Sequence, residues 1–143
     1  MPIPTPEPGL VISYAYLWDH EAQGGQDEGR KDRPCVIALA VERQPGGETV
    51  VTALPVTHRQ PDKAAAAVEI PLAVKRHLGL DDARSWVIVS EGDQFVWPGY
   101  DLRKTPGSDR YDYGFMPPRL FHQILDAFRA WQHSNKARLI ARD

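Results

Sequence analysis

Two apolar runs of strand length, "PCVIALAVE" (34–42) and "ETVVTALPVT" (48–57), flank the turn-forming "RQPGG" (43–47). Both runs are rich in β-branched residues, and a short Pro-Gly-Gly connection between them leaves antiparallel pairing as the natural outcome. This hairpin constrains the fold more than any other stretch. It commits the core to β structure, and it puts the start of its first strand and the end of its second at the same open end. Arg33 and Thr57 are therefore expected as neighbours across two strands. Proline at 34 fixes the backbone beside Arg33.

The remaining segments fit around that hairpin in a single domain spanning 1–143, a size that closes one hydrophobic core. Residues 1–8, rich in proline, read as an extended arm, and "LVISYAYLW" (10–18) as a strand. The polar stretch 19–32 is long for a hairpin connection, and connections of that length commonly carry function. "AVEIP" (67–71) reads as a short strand. "LAVKRHLGL" has apolar residues at 72, 74, 78 and 80 and predicts a short helix capped by Gly79. "SWVIVSE" and "QFVWP" predict two strands broken around Gly92 and Asp93, followed by a turn-rich loop over 99–114. Pro117 and Pro118 mark a helix start. Leu120, Phe121, Ile124, Leu125, Phe128 and Trp131 then recur on one helical face, a core stripe. Residues 135–143 read as a loosely held polar tail. The expected fold is mainly β with a C-terminal helix: a small barrel, or a strongly bent sheet closed by that helix.

Composition narrows the chemistry. A net charge of −2 argues against coating nucleic acid through overall charge, although basic residues cluster at 30–33, 58–59, 75–77 and 103–104. The single cysteine, Cys35, lies in an apolar run and reads as a core residue. No cysteine pair, helical His-x-x-His or close carboxylate cluster supplies a metal site, so no cofactor is expected. "GRKDRP" lacks the spacing and ending of a phosphate-binding Walker loop. No apolar run is long enough to span a bilayer and no signal-like segment opens the sequence, so a cytoplasmic protein is expected.

A guanidinium at 33 beside the hydroxyl of Thr57 and the imidazole of His58 suits one reaction in particular. RNA cleavage through its own 2′-hydroxyl needs a proton acceptor, a proton donor and a cation for the phosphoryl oxygens, but no metal. Arginine supplies that cation with a planar fork. A purely structural reading fits the same residues: Arg33 paired with Asp32 or a sheet-edge carbonyl, Thr57 a strand residue, His58 a surface histidine. Tyr100, Tyr111, Tyr113, Phe95 and Trp97 fit either base stacking or the core.

A strand ending in an aromatic residue, a Gly/Gln/Glu loop, "DRPCVIAL", a hairpin and "ALPVTH" follow in an order that resembles the MazF/PemK ribonuclease toxins of type II toxin–antitoxin systems. "SWVIVSEGDQFVWP" is similar to that family's later strand pair, and the likeness runs from about Pro8 to the C-terminal helix. It implies an SH3-like barrel, a homodimer, metal-independent cleavage of single-stranded RNA, and a cognate antitoxin whose disordered tail fills the groove. The family's catalytic Arg falls on Arg33 and its Thr on Thr57, while Gln26, Glu28 and Arg30 fall in the loop that closes over substrate. His58 is added on chemical grounds as a proton-transfer group, and Lys31 and Arg59, with Arg30, as cations that hold RNA. The chain departs from the pattern at "KDRP", where Asp32 is expected to neutralise Arg33 in part, and in its longer 99–114 loop and tail. Two alternatives stay open: a barrel that has lost its chemistry and serves as a binding or regulatory module, and a CcdB-like gyrase poison, which depends on an exposed tryptophan of the C-terminal helix.

Overall fold

The hairpin forms as its sequence directs. In the computed structural model, which describes residues 3–18, 31–135 and 138–141, strand β2 spans Asp32–Glu42 and β3 spans Thr49–Thr57. They pair antiparallel from Glu42↔Thr49 to Cys35↔Pro55, with one irregularity between Ile37 and Leu39. Strand β1 (Leu10–Ala15) lies antiparallel on the other side of β2, with Tyr14 opposite Arg33.

Beyond the hairpin, β4 (Ala67–Glu69) leads into helix α1 (Leu72–Leu78), followed by β5 (Trp86–Ile88) and β6 (Glu91–Val96). Strand β3 is long enough to serve both of the last two. Its Val50–Ala53 half pairs with β6, and its last residues, Val56 and Thr57, pair with β5. Strand β7 (Asp112–Phe115) extends the sheet beyond β1, and after helix α2 (Pro118–Asn135) strand β8 (Arg138–Ala141) runs parallel to β6. The result is an eight-stranded, mostly antiparallel sheet whose main path runs β4-β5-β3-β2-β1-β7. Among the described residues no ladder joins its two ends.

The sheet has two apolar faces because successive side chains of a strand point to opposite sides. On one, Val11, Val36, Leu54 and Val87 meet Leu120, Phe121, Ile124 and Phe128 of α2, the stripe expected from the sequence. Leu125 and Trp131 are half-buried at its margin. On the other face, Ile12, Tyr14, Cys35, Ile37, Val51 and Phe95 form a second core. Tyr14 of β1 stacks on Phe95 of β6 at 4.5 Å between ring centroids, although two strands separate β1 from β6 in the sheet. The backbone N–H of Leu17 donates to Asp93 Oδ2 at 2.9 Å, a second tie across the same gap. The sheet must therefore bend sharply enough to bring β1 over β6.

Four sequence expectations are corrected. The break in 85–98 falls at 89–90, since Gly92 and Asp93 lie inside β6, buried and paired to β3 and β8. The 99–114 stretch contributes to the sheet through a Leu102 bridge to Tyr14 and the start of β7. The tail contains β8, whose backbone groups find ladder partners on β6. In α1 the buried positions are Lys75 and Leu78, whereas Leu72 is exposed. No described helix is long and apolar enough to cross a membrane.

Candidate functional site

The open end of the β2–β3 hairpin forms one wall of a cleft of about 790 Å³. The start of β2, the end of β3, the loop after α1 and the 105–113 segment surround it. A second hollow of about 340 Å³, which includes Trp18, adjoins it, and Arg33, Thr57 and Arg59 line both. Five Lys or Arg side chains line the larger cleft (Lys31, Arg33, Arg59, Lys75 and Arg110) against three carboxylates, Asp32, Asp81 and Asp112. The lining is thus net positive in a chain of net charge −2.

Register explains how Arg33 and Thr57 come together. Continuing the Cys35↔Pro55 pairing by two residues sets Arg33 opposite Thr57, and strand alternation gives both the same face. The Arg33 guanidinium lies over the Trp18 ring, 4.9 Å from its centroid, and Nη1 makes a long 3.5 Å contact with the Val56 carbonyl. Its Nε is buried with no hydrogen-bond partner among the described residues. An unpartnered buried donor costs about 1–3 kcal/mol. Thr57 Oγ1 accepts the Arg59 N–H at 3.1 Å, so its own proton remains to donate elsewhere.

Among the described residues Asp32 makes no ion pair with Arg33; its carboxylate lies 3.7 Å from the Nε of Arg103. Among the described residues, Lys31, Arg33 and Arg59 have no carboxylate within ion-pair distance. Gln26, Glu28 and Arg30 lie outside the described residues.

His58 sits in the cleft with partners that the sequence reading missed. Its Nε2 is 2.9 Å from Asp81 Oδ2, and Asp81 Oδ1 accepts from Lys75 Nζ at 2.5 Å. Lys75, only 2% exposed, also donates to Ser85 Oγ at 2.6 Å and to the Ala83 carbonyl. An ammonium has three donors and all three are used here. Ser85 in turn donates to the Ala83 carbonyl, so this Ser-Lys pair is a structural clamp, not a nucleophile with its base.

The local chain path builds this clamp. Helix α1 ends at Gly79, whose φ of 73° requires the left-handed region that glycine adopts without strain. The Leu80 N–H bonds back to the Lys75 carbonyl at 2.9 Å, and the reversed chain carries Asp81 to the Lys75 ammonium. The hydrogen bond from Lys75 holds the Asp81 carboxyl below its ordinary range, helped by the charges of His58 and Lys75 and by the Ala83 N–H against a smaller opposing effect of burial. Lysine at an inward helix position, followed by Gly and then Asp, was the available signal.

Of the aromatic residues expected either to stack bases or to pack, Phe95 is core, while Trp97, Tyr111 and Tyr113 are half-buried and Tyr100 is 96% exposed. Only Tyr113 among these five borders the cleft. Comparison with known proteins supplies no relative: no protein-family model, no curated protein and no solved structure matches this chain.

Proposed function

We propose that the protein is a metal-independent endoribonuclease of the MazF/PemK kind, cutting single-stranded RNA through the 2′-hydroxyl at the cleft beside the open end of the β2–β3 hairpin. The observation that carries this reading is the Arg33 guanidinium: braced on Trp18, unpaired with any carboxylate among the described residues, with a buried Nε lacking an acceptor among them, and sharing the cleft lining with Thr57. Such a group is held ready for an anion before the anion arrives, which is how preorganised sites stabilise developing charge. The bent sheet with its two cores and covering helix is consistent with the SH3-like barrel that this reading requires.

In the reaction, O2′ attacks phosphorus, its proton passes to a base, and the 5′-oxygen leaves as it gains a proton. Products are a 2′,3′-cyclic phosphate and a 5′-hydroxyl. Arg33 would take charge from the non-bridging oxygens and Thr57 would donate to one of them, while His58 exchanges protons with the RNA. Lys31 and Arg59 would hold flanking phosphates and lend a salt-sensitive component to binding. The reading brings with it a homodimer, an antitoxin whose disordered tail would occupy the same cleft, and action in the cytoplasm.

The gyrase-poison alternative asks for an exposed tryptophan on the last helix. Trp131 is half-buried against the core, with the Lys63 ammonium 5.9 Å from its ring centroid. The net charge of −2 and Asp32 beside Arg33 favour the inactive-module alternative; the Asp32 carboxylate lies 3.7 Å from Arg103 Nε. Incubating the purified protein with mixed-sequence RNA in EDTA and mapping the ends tests the proposal. Cuts at one short motif bearing 2′,3′-cyclic phosphate support it; intact RNA at high protein concentration refutes it and favours the module.

A further inference from the structure

Four side chains in the cleft form a continuous chain, His58–Asp81–Lys75–Ser85, with links of 2.9, 2.5 and 2.6 Å. The innermost link is buried, since Lys75 and Ser85 are 2% and 1% exposed, and the outermost, His58, is open to solvent. A buried clamp carrying a half-exposed carboxylate that meets a solvent-facing imidazole is more than a stabilising ion pair requires. It fixes which imidazole nitrogen is committed to the protein and which is presented to a ligand.

Resting on the nuclease reading, we infer that Asp81, oriented by Lys75, is a positioning residue that commits Nε2 of His58 to the protein and makes Nδ1 the atom that gives a proton to the leaving 5′-oxygen. In that step the 2′-hydroxyl gives its proton to solvent and the O2′–P bond forms as the P–O5′ bond breaks. The proton on Nδ1 passes to O5′, and a neutral ring remains with its Nε2–H on Asp81. Asp81 can accept that hydrogen bond because a carboxylate has only acceptors, and Lys75 holds the other oxygen because an ammonium has only donors. The two constraints define the ring's tautomer together.

The clamp makes a specific prediction for Asp81→Asn. Lys75 requires an oxygen, so the carboxamide must turn its oxygen to Lys75 and its NH2 towards His58. His58 Nε2 then has to accept, which moves the ring proton to Nδ1 and reverses the tautomer. An amide in place of an orienting carboxylate is known to damage acid–base catalysis in this way while leaving geometry intact.

The experiment has three readouts. Nitrogen-15 NMR of the RNA-free protein, at a pH where the ring is neutral, should show Nε2–H in the wild type and Nδ1–H in Asp81→Asn. In RNA cleavage, Asp81→Asn and His58→Ala should each lower kcat, His58→Ala by about 10²–10⁴-fold, with little change in KM. A substrate whose bridging 5′-oxygen is replaced by sulfur needs no proton on its leaving group, so both variants should recover most of the lost rate on it. Unchanged kcat in either variant, an unaltered tautomer in Asp81→Asn, or a loss that sulfur does not restore would overturn the inference and leave the nuclease reading standing. A wild-type protein that cuts no RNA would instead remove the nuclease reading, and this inference with it.

Discussion

Replacing Lys75 with methionine keeps the length of the buried side chain while deleting its charge and all three donors. Asp81 Oδ1, the Ala83 carbonyl and Ser85 Oγ each lose a partner. Hydrogen bonds to charged groups contribute about 1.5–3 kcal/mol each, but the losses are unequal. The Asp81 side chain is 54% exposed and can turn to water, and Ala83 is exposed as well. Ser85, buried, keeps its own bond to Ala83. Removing a buried ammonium also relieves its desolvation, so the cost should fall near or below the range of about 3–5 kcal/mol for breaking a fully buried pair. We expect a loss of about 2–4 kcal/mol. At roughly 2.1 cal/mol/K per residue, the unfolding entropy of a chain this size is about 0.3 kcal/mol/K, which converts the loss to about 7–13 °C in Tm. Thermal unfolding followed by circular dichroism, with urea unfolding as a check on two-state behaviour, measures it. A double-mutant cycle with Asp81→Ala isolates the Lys75–Asp81 contribution. A Lys75→Met protein melting within about 3 °C of wild type would refute the account of Lys75 as a saturated buried donor.

Gly79→Ala should cost about 1–2 kcal/mol, because the surroundings leave room for a methyl group and the positive φ alone resists it; urea unfolding reads the difference, and an unchanged midpoint would contradict the turn geometry. Ile124→Ala, at a fully buried position of the α2 stripe, should cost about 2–5 kcal/mol in the same assay. Burial, and then the nearby Glu91 and Asp93 carboxylates, push the Tyr16 hydroxyl well above its ordinary value of 10.0. The folded protein keeps Tyr16 neutral while the unfolded chain ionises, so this contribution is intact below pH 10 and is lost as pH rises beyond it. Tyr16→Phe should flatten that alkaline decline in a pH series of unfolding midpoints, and an equal decline in both proteins would contradict it.

Where the sequence was legible, a local pattern coincided with a global constraint. The hairpin was readable because β-branched apolar runs and turn chemistry agreed, and the place of positions 33 and 57 in one cleft lining followed from counting. The α2 stripe was readable because six apolar residues share one helical face. Errors arose where tertiary context overrides local preference. Gly92 and Asp93 have the look of a turn, yet Asp93 is 0% exposed and accepts the Leu17 N–H across the bend. The last strand is too short to signal itself and exists because β6 offers it a partner. In the sequence Lys75 is one of a basic cluster at 75–77. Its burial depends on a chain reversal at Gly79 that brings acceptors back from positions 81–85, a contact that residue-by-residue polarity does not encode.

The most direct test of the central claim is Arg33→Ala, assayed for RNA cleavage and stability on the same preparation. The substitution removes a cation–π contact of about 0.5–1 kcal/mol but also a buried donor that has no partner among the described residues and costs about 1–3 kcal/mol, so stability should hold or rise. Cleavage should fall by about 10²–10³-fold in kcat, as when one donor to a developing oxyanion is lost. Wild-type cleavage rates in Arg33→Ala, or a loss of activity matched by a collapse in Tm, would contradict a guanidinium held in place for RNA phosphate.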